Sequence, residues 1–222
     1  MLIGGGEWQA GGRDLDAELL EASGAEEVVV LPTAAAFEHA ERVGERARDY
    51  FADLGAKVRV LDVLHRGEAM DPAIADVARA AKFIYVADGS PLHLRSVLKD
   101  STLFEALVAS YEKGGVLAAS GAGATLLCDP MVDPRGGAYT VGLGVVKNLA
   151  VFPYHGSAAR HLRERSMDLL PTGAALAGVD AETALVLRHG EWTVAGAGTV
   201  TLYQGGRATT YTAGDSVEGL PT

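Results

Sequence analysis

The sequence predicts an α/β fold in which a mainly parallel sheet is covered by helices on both faces. Short apolar or β-branched runs alternate with segments whose apolar residues recur at helical spacing, which is the pattern of successive βα units. Towards the C-terminus the pattern changes to short strands separated by glycine-rich turns. We therefore expect an antiparallel C-terminal extension on a parallel core.

The first half of the chain supplies the alternating units. The run at residues 28–31 predicts a strand that ends at Pro32, and residues 34–55 predict a helix that ends at Gly55. Residues 58–61 predict the next strand, and Asp71-Pro72 is a typical start for a helix that continues to residue 80. Residues 83–86 predict a further buried strand.

The second half begins with the same alternation and then changes character. Residues 101–112 predict a helix, residues 116–119 a strand, and residues 120–124 a turn made of small residues. A strand at 149–152 and a helix at 161–170 follow, and four short strands are predicted at 184–187, 191–194, 199–203 and 209–211. With 222 residues, 48% of them hydrophobic, the chain is expected to form one domain over 1–222.

Composition excludes several classes of partner. A net charge of −10 disfavours binding to nucleic acid or to an anionic membrane, whereas small neutral or cationic ligands fit such a surface. The single cysteine, Cys128, cannot form an intrachain disulfide, as expected in a reduced compartment. The first residues lack the basic start and apolar core of a signal peptide, and no apolar run approaches the ~18 residues of a membrane span. We expect a soluble cytoplasmic protein.

Two segments at the carboxyl ends of predicted strands are candidates for chemistry. In Asp88-Gly89-Ser90-Pro91, the N–H of Gly89 could stabilise an oxyanion, or the segment could be a turn in which Ser90 caps a helix. The residues from Ser120 to Ala124 are small enough for the strained elbow that presents a nucleophile in hydrolases, or for close packing of a strand against a helix.

No cofactor or metal site is predicted. The glycines in Leu2-Ile3-Gly4-Gly5-Gly6-Glu7 are not followed by the remainder of a dinucleotide-binding or phosphate-binding motif, so tight packing between strand and loop is the better interpretation. The six histidines show no spacing typical of zinc ligands.

Five blocks of the sequence together resemble the cyanophycinase and peptidase E family. They are, in order, Leu2-Ile3-Gly4-Gly5-Gly6-Glu7, Asp88-Gly89-Ser90-Pro91, Gly114-Gly115-Val116, residues 148–155, and Gly178-Val179-Asp180-Ala181-Glu182-Thr183-Ala184. The resemblance implies a flavodoxin-like fold of the class I glutamine amidotransferase type. It also implies peptide hydrolysis by a serine on a Gly-Thr-Ser-Ala-Gly-Ala elbow with a downstream histidine and an acid, and it suggests a homodimer.

The elbow of this chain departs from the family pattern. Laid on Gly-Thr-Ser-Ala-Gly-Ala, the segment from Ala119 to Ala124 places Ser120 on the threonine, Gly121 on the nucleophile and Ala122 on the residue that follows it, whose N–H is expected to join the oxyanion hole. Glycine has no side chain that could attack a carbonyl group. Ser120 could replace it only if the elbow were shifted by one residue.

The remaining family positions are partly retained. The family block Gly-Gly-Asp/Asn-Gln corresponds to Asp88-Gly89-Ser90-Pro91, so Gly89 keeps the oxyanion position while Ser90 stands where a substrate-facing group is expected. Ala181 falls on the catalytic glutamate, with Glu182 one residue further on. His155, just after a predicted strand, is the remaining candidate for the general base.

Two functions from different classes follow from these correspondences. The first is a non-catalytic family member that binds a small peptide or another small molecule. The second is an active serine hydrolase with a shifted triad of Ser120, His155 and either Glu182 or Asp180. Glutamine amidotransferase activity would need a cysteine on the elbow, and Cys128 lies too far beyond it.

Overall fold

A computed structural model describes residues 1–133 and 135–221 and contains a seven-stranded sheet and a four-stranded sheet. The strands are β1 (Leu2–Ile3), β2 (Glu27–Leu31), β3 (Lys57–Val60), β4 (Phe83–Val86), β5 (Val116–Ser120), β6 (Cys128–Asp129), β7 (Met131–Asp133), β8 (Ala138–Thr140), β9 (Val146–Lys147), β10 (Leu149–Phe152), β11 (Ala175–Val179), β12 (Thr183–Arg188), β13 (Glu191–Gly196), β14 (Val200–Gln204) and β15 (Arg207–Tyr211). The helices are α1 (Arg13–Ser23), α2 (Ala40–Ala52), α3 (Arg66–Ala69), α4 (Pro72–Ala80), α5 (Pro91–Leu98), α6 (Thr102–Glu112), α7 (Ala122–Leu127) and α8 (Arg160–Asp168), with 3-10 helices at Ala10–Gly12 and Thr33–Ala35.

The large sheet has the order β13-β12-β1-β5-β4-β2-β3. The five strands from β1 to β3 in that order run parallel, and β12 and β13 are antiparallel additions at one edge. Alternate residues of β2 face opposite sides: Val28 and Val30 pack with α1 and α2, whereas Val29 and Leu31 pack with α4, α5 and α6. The predicted α/β class, a mainly parallel sheet between helices, is confirmed.

The small sheet has the order β10-β11-β14-β15, in which only the β10–β11 pair is parallel. Its residues Leu149, Val179 and Leu202 belong to the same buried cluster as Leu2 and Val29 of the large sheet. The predicted antiparallel tail is therefore divided between two sheets, with the β12–β13 hairpin on the first and the β14–β15 hairpin on the second.

Three of the elements that differ from the sequence-based expectation have a clear physical reason. The single helix predicted over 34–55 is a short 3-10 helix followed by α2, because the chain turns at His39, whose φ is +62°. Helix α1 was not predicted, since its buried stripe is narrow and includes Asp16 beside Leu19 and Leu20. Strand β11 was missed because its sequence, ALAGV, is dominated by small residues.

The sheet order places the candidate site. Because β1 pairs with β5 and β5 pairs with β4, the carboxyl ends of these three parallel strands meet at one edge of the sheet. The loops that follow β1 and β4 carry Glu7 and Asp88, and Gly121 follows β5 directly. Among the residues that the model describes, no helix is long and apolar enough to cross a membrane.

Candidate functional site

The elbow predicted between β5 and α7 is a sharp strand-to-helix turn at Gly121. Its φ of +45° and ψ of −102° lie outside the regions that residues with a Cβ normally adopt. Strained turns of this kind present the nucleophile in hydrolases of similar layered architecture. Here the residue at the tip carries no side chain, so the elbow has the backbone shape for catalysis but no hydroxyl or thiol.

The space that a side chain at position 121 would occupy is filled by Asp88. A Cβ built on Gly121 would overlap the carboxyl carbon and both carboxyl oxygens of Asp88. The Oδ1 atom of Asp88 accepts hydrogen bonds from the N–H of Gly89 and the N–H of Ala122, each 2.7 Å long. These are the two N–H groups that the sequence assigned to oxyanion stabilisation. Both donors are already directed at one carboxylate oxygen.

Tyr154 covers this carboxyl group from the opposite side. Its hydroxyl donates to Oδ2 of Asp88 and accepts a 3.3 Å hydrogen bond from the N–H of Gly6. The phenol ring lies against Gly5, where any Cβ would overlap ring atoms, so the glycine-rich segment after β1 is needed for this approach. Burial and the hydrogen bond to Asp88 raise the pKa of Tyr154, which keeps the phenol protonated at neutral pH.

Glu7 holds the side chain of Ser120. Glu7 is 7% exposed, and its Oε2 accepts a 2.8 Å hydrogen bond from the hydroxyl of Ser120, which is fully buried. Its Oε1 accepts a longer bond of 3.4 Å from the N–H of Asp88. The hydroxyl of Ser120 is thus directed into the protein and towards a carboxylate, away from the surface of the elbow.

His155 faces the small sheet. Its Nε2 lies 3.0 Å from the hydroxyl of Tyr203 in β14, and its Nδ1 lies 3.9 Å from Oδ1 of Asp180. Burial and the nearby Arg163 guanidinium lower the pKa of His155, with Asp180 acting in the opposite direction. The imidazole is therefore neutral at neutral pH and is engaged with a phenol.

The other predicted site residues also have local partners. Glu182 Oε2 accepts a 2.9 Å hydrogen bond from the N–H of Gly11, and Asp180 Oδ1 accepts one of 2.7 Å from the N–H of Gly156. Ser90 caps α5 by accepting from the N–H of His93 at 3.3 Å, as the capping alternative predicts. Ser120, His155 and Glu182 are each bonded to a different group, and these contacts do not assemble a triad.

The structure instead brings together Asp88, Tyr154 and Glu7, none of which the sequence analysis assigned a role. The sequence did contain a signal for each. Glu7 and Asp88 are polar residues in the loops that follow two parallel strands, at the edge where such folds bind ligands. Tyr154 immediately precedes His155, the residue of this loop that the sequence analysis selected as the candidate base.

The chemistry available at this edge comes from two carboxylates, a phenol and two backbone donors. Among residues 1–133 and 135–221, no group of three or more His, Cys, Asp or Glu side chains is arranged to hold a metal ion. Asp88 accepts hydrogen bonds from the N–H groups of Gly89 and Ala122 and from the hydroxyl of Tyr154, and its own N–H donates to Glu7. This residue is the chemical centre of the site.

Comparison with known proteins agrees with the fold and with the sequence blocks. Residues 1–195 match the model of peptidase family S51. A crystal structure of a peptidase from an acI-B1 Actinobacterium is similar with a TM-score of 0.88 and 29% identity, covering 97% of this chain and 94% of that one. A putative peptidase E protein from Listeria monocytogenes EGD-e has a TM-score of 0.61 at 15% identity, covering 90% and 92% of the two chains, which is evidence for the fold alone. These matches confirm the resemblance inferred from the sequence blocks.

Proposed function

This chain belongs to peptidase family S51, and we propose that it lacks serine peptidase activity and uses the elbow to bind a small peptide or another small molecule. The observation that carries the proposal is the position of Asp88. Its carboxyl group lies where the side chain of a nucleophile at position 121 would be, and it accepts from the N–H groups of both Gly89 and Ala122.

A serine acyl-enzyme requires a hydroxyl group near a base and vacant donors for the oxyanion. The hydroxyl of Ser120 donates to Glu7, and the imidazole of His155 is bonded to Tyr203. The donors on Gly89 and Ala122 would have to be released from a carboxylate before an oxyanion could use them. The hydroxyl group, the base and the oxyanion donors are therefore all engaged in other contacts.

The charge at the site favours neutral or cationic ligands. Glu7 and Asp88 lie together at the edge of the sheet in a protein whose net charge is −10. An anionic ligand would experience repulsion from both carboxylates, whereas the amino group of a peptide would be attracted. A short peptide with a free N-terminus fits this environment.

A fluorophosphonate probe tests the loss of serine chemistry, because it reacts covalently with activated serine hydroxyl groups. We expect intact-mass spectrometry to show no adduct on the wild-type chain under conditions that label an active serine peptidase completely. The Ser120→Ala variant serves as the matched control and should likewise show no adduct. Stoichiometric labelling of Ser120 in the wild type, lost in that variant, would refute the proposal.

The alternative function remains an active serine hydrolase that uses Ser120, His155 and Glu182 or Asp180. It requires Ser120 to leave Glu7 and His155 to leave Tyr203. Cleavage of a small peptide or amide that is abolished equally by Ser120→Ala and His155→Ala would favour it. If the chain lacks serine peptidase activity, as proposed, neither the wild type nor either variant cleaves the peptide or amide.

We also propose a cytoplasmic location and a homodimer. A cytoplasmic location agrees with a buried, unpaired Cys128. For the dimer, β15 is the edge strand of the small sheet and is mostly exposed, so a second copy can pair with it. Light scattering coupled to size-exclusion chromatography should give twice the mass of the chain, and Ala208→Pro in β15 should reduce it to the monomer. A monomeric mass for the wild type would contradict the dimer.

A further inference from the structure

We propose that Asp88 is a carboxylate nucleophile and that the site opens epoxides, with Tyr154 as the proton donor. The inference rests on the part of the proposed function that removes serine chemistry from the elbow, and it assigns a reaction to the same site. It follows from the positions of the two oxygen atoms of one side chain.

The two oxygens of Asp88 have different surroundings. Oδ1 accepts hydrogen bonds from the N–H groups of Gly89 and Ala122. Within the described residues, the only hydrogen-bond donor to Oδ2 is the hydroxyl of Tyr154. Asp88 is half-buried and Tyr154 is 38% exposed, so this pair of side chains is partly open to solvent. A carboxylate fixed through one oxygen and presented through the other is oriented for attack on carbon.

The phenol determines the class of substrate. Tyr154 is a protonated O–H donor adjacent to Oδ2, so a leaving group that needs a proton, such as an oxygen atom, suits the site. In an epoxide the leaving oxygen remains attached beside the attacked carbon and stays within reach of the phenol. Oδ2 forms a bond to that carbon, the C–O bond of the ring breaks, and the oxygen takes the proton from Tyr154.

Hydrolysis of the resulting ester completes the cycle. Water attacks the carboxyl carbon of Asp88 and gives one proton to the Tyr154 phenolate. The negative charge develops on Oδ1, where the N–H groups of Gly89 and Ala122 already point. The tetrahedral intermediate then expels the diol, which takes the second proton of the water and leaves with the original Oδ2 atom. The net reaction is epoxide plus water to diol.

A reactive epoxide tests the first step. After brief incubation with 1,2-epoxy-3-(4-nitrophenoxy)propane and quenching in acid, which traps the ester before water hydrolyses it, we expect up to one adduct per chain, mapped by peptide mass spectrometry to Asp88. The Asp88→Asn variant should give no adduct, and it keeps an amide oxygen for the Gly89 and Ala122 donors, so its fold should be preserved. The exposed Asp76 in α4 provides the control, because Asp76→Asn should label like the wild type. Absence of the adduct, or equal labelling of Asp88→Asn, would overturn the proposal.

Tyr154→Phe separates a proton donor from a purely structural contact. Loss of a general acid should slow adduct formation by roughly a hundredfold. Loss of a merely structural hydrogen bond would free Oδ2 and leave the rate unchanged or faster, which would refute the role of Tyr154.

Isotopic labelling tests the second step. A single turnover in water enriched in 18O should place the heavy atom in the carboxyl group of Asp88 and not in the first diol released. Heavy oxygen in that first diol would exclude the covalent route. Fluorophosphonate labelling reports on Ser120 and epoxide labelling on Asp88, so failure of the proposed function and failure of this inference give different spectra.

Discussion

At the elbow, this chain has a side chain at position 88 and none at position 121, whereas the family pattern has a glycine at the first position and a serine at the second. The sequence blocks place Gly121 on the nucleophilic serine and Asp88 on the first glycine of Gly-Gly-Asp/Asn-Gln. The structure shows these two positions in contact, since a Cβ at 121 would overlap the Asp88 carboxyl group. The two departures are therefore complementary: a side chain is lost at one position and gained at the other.

A double-mutant cycle tests this complementarity. Gly121→Ser alone should lower the free energy of unfolding by about 1–3 kcal/mol, because the new side chain meets Asp88. In the Asp88→Gly background the same substitution should cost less, giving a coupling energy of about 1 kcal/mol or more. Gly67→Ser is the control, since a Cβ there meets no atom within 4 Å. Equal losses from Gly121→Ser in both backgrounds, measured by urea denaturation, would show that the positions are independent.

A second residue-scale prediction concerns the buried acid of α1. Asp16 is 3% exposed, and burial raises its pKa from 3.8 to about 7, although the 2.9 Å hydrogen bond from Tyr50 opposes the change. The folded chain thus binds a proton at Asp16 more tightly than the unfolded chain does. Between pH 3.8 and about 7 this group makes the free energy of unfolding fall as pH rises, by on the order of 4 kcal/mol in total.

Asp16→Asn should remove that decline, because the amide does not ionise. Urea denaturation of the wild type and the variant across this pH range measures the effect. The exposed Asp14 lies in the same helix, and Asp14→Asn should leave the pH profile as in the wild type. Superimposable profiles for Asp16→Asn and the wild type would contradict the raised pKa.

At the scale of elements, sequence patterns predicted the strands that build the site and the turn between β5 and α7. Strand β4 and strand β10 have the predicted bounds, because continuous apolar runs between turn residues define both. The partners of individual side chains were not predictable in the same way. His155 and Tyr154 are adjacent, yet Tyr154, whose φ is +53°, contacts Asp88 at the elbow, whereas His155 contacts Tyr203 of β14.

The turn after β10 is held by a carboxylate that joins three segments. Asp180 accepts hydrogen bonds from the N–H of Gly156, at 2.7 Å, and from the N–H and hydroxyl of Thr199, at 3.0 and 2.8 Å. Asp180→Ala should lower the free energy of unfolding by about 2 kcal/mol, because it leaves donors without an acceptor. Asp168→Ala, an exposed position in α8, should change it by less than about 0.5 kcal/mol. Similar small changes for both variants in thermal denaturation would argue against this role.

At the scale of the whole molecule, one buried cluster includes residues of both main sheets, such as Leu2 of β1 and Leu202 of β14. A shared core implies cooperative unfolding, so calorimetry should record a single transition whose calorimetric and van't Hoff enthalpies agree. Two separated transitions would show that the small sheet unfolds independently and would contradict the expectation of one domain over 1–222.

The overall architecture was predictable from the sequence because alternating apolar runs and helical periods extend through most of the chain. The division of the C-terminal strands between two sheets was not, since adjacent hairpins with similar patterns carry no information about which edge they join. The same limit applies to the site, where the identity of Gly121 showed what was missing but not which residue had taken its place.

An atomic-resolution crystal structure of the wild-type chain tests the central claim most directly. The account predicts electron density for the Asp88 carboxyl group over Gly121, with Oδ1 within hydrogen-bonding distance of the nitrogen atoms of both Gly89 and Ala122, and with Ser120 bonded to Glu7. Density that places the Asp88 carboxyl group in solvent and the Ser120 hydroxyl within hydrogen-bonding distance of the His155 imidazole would contradict it.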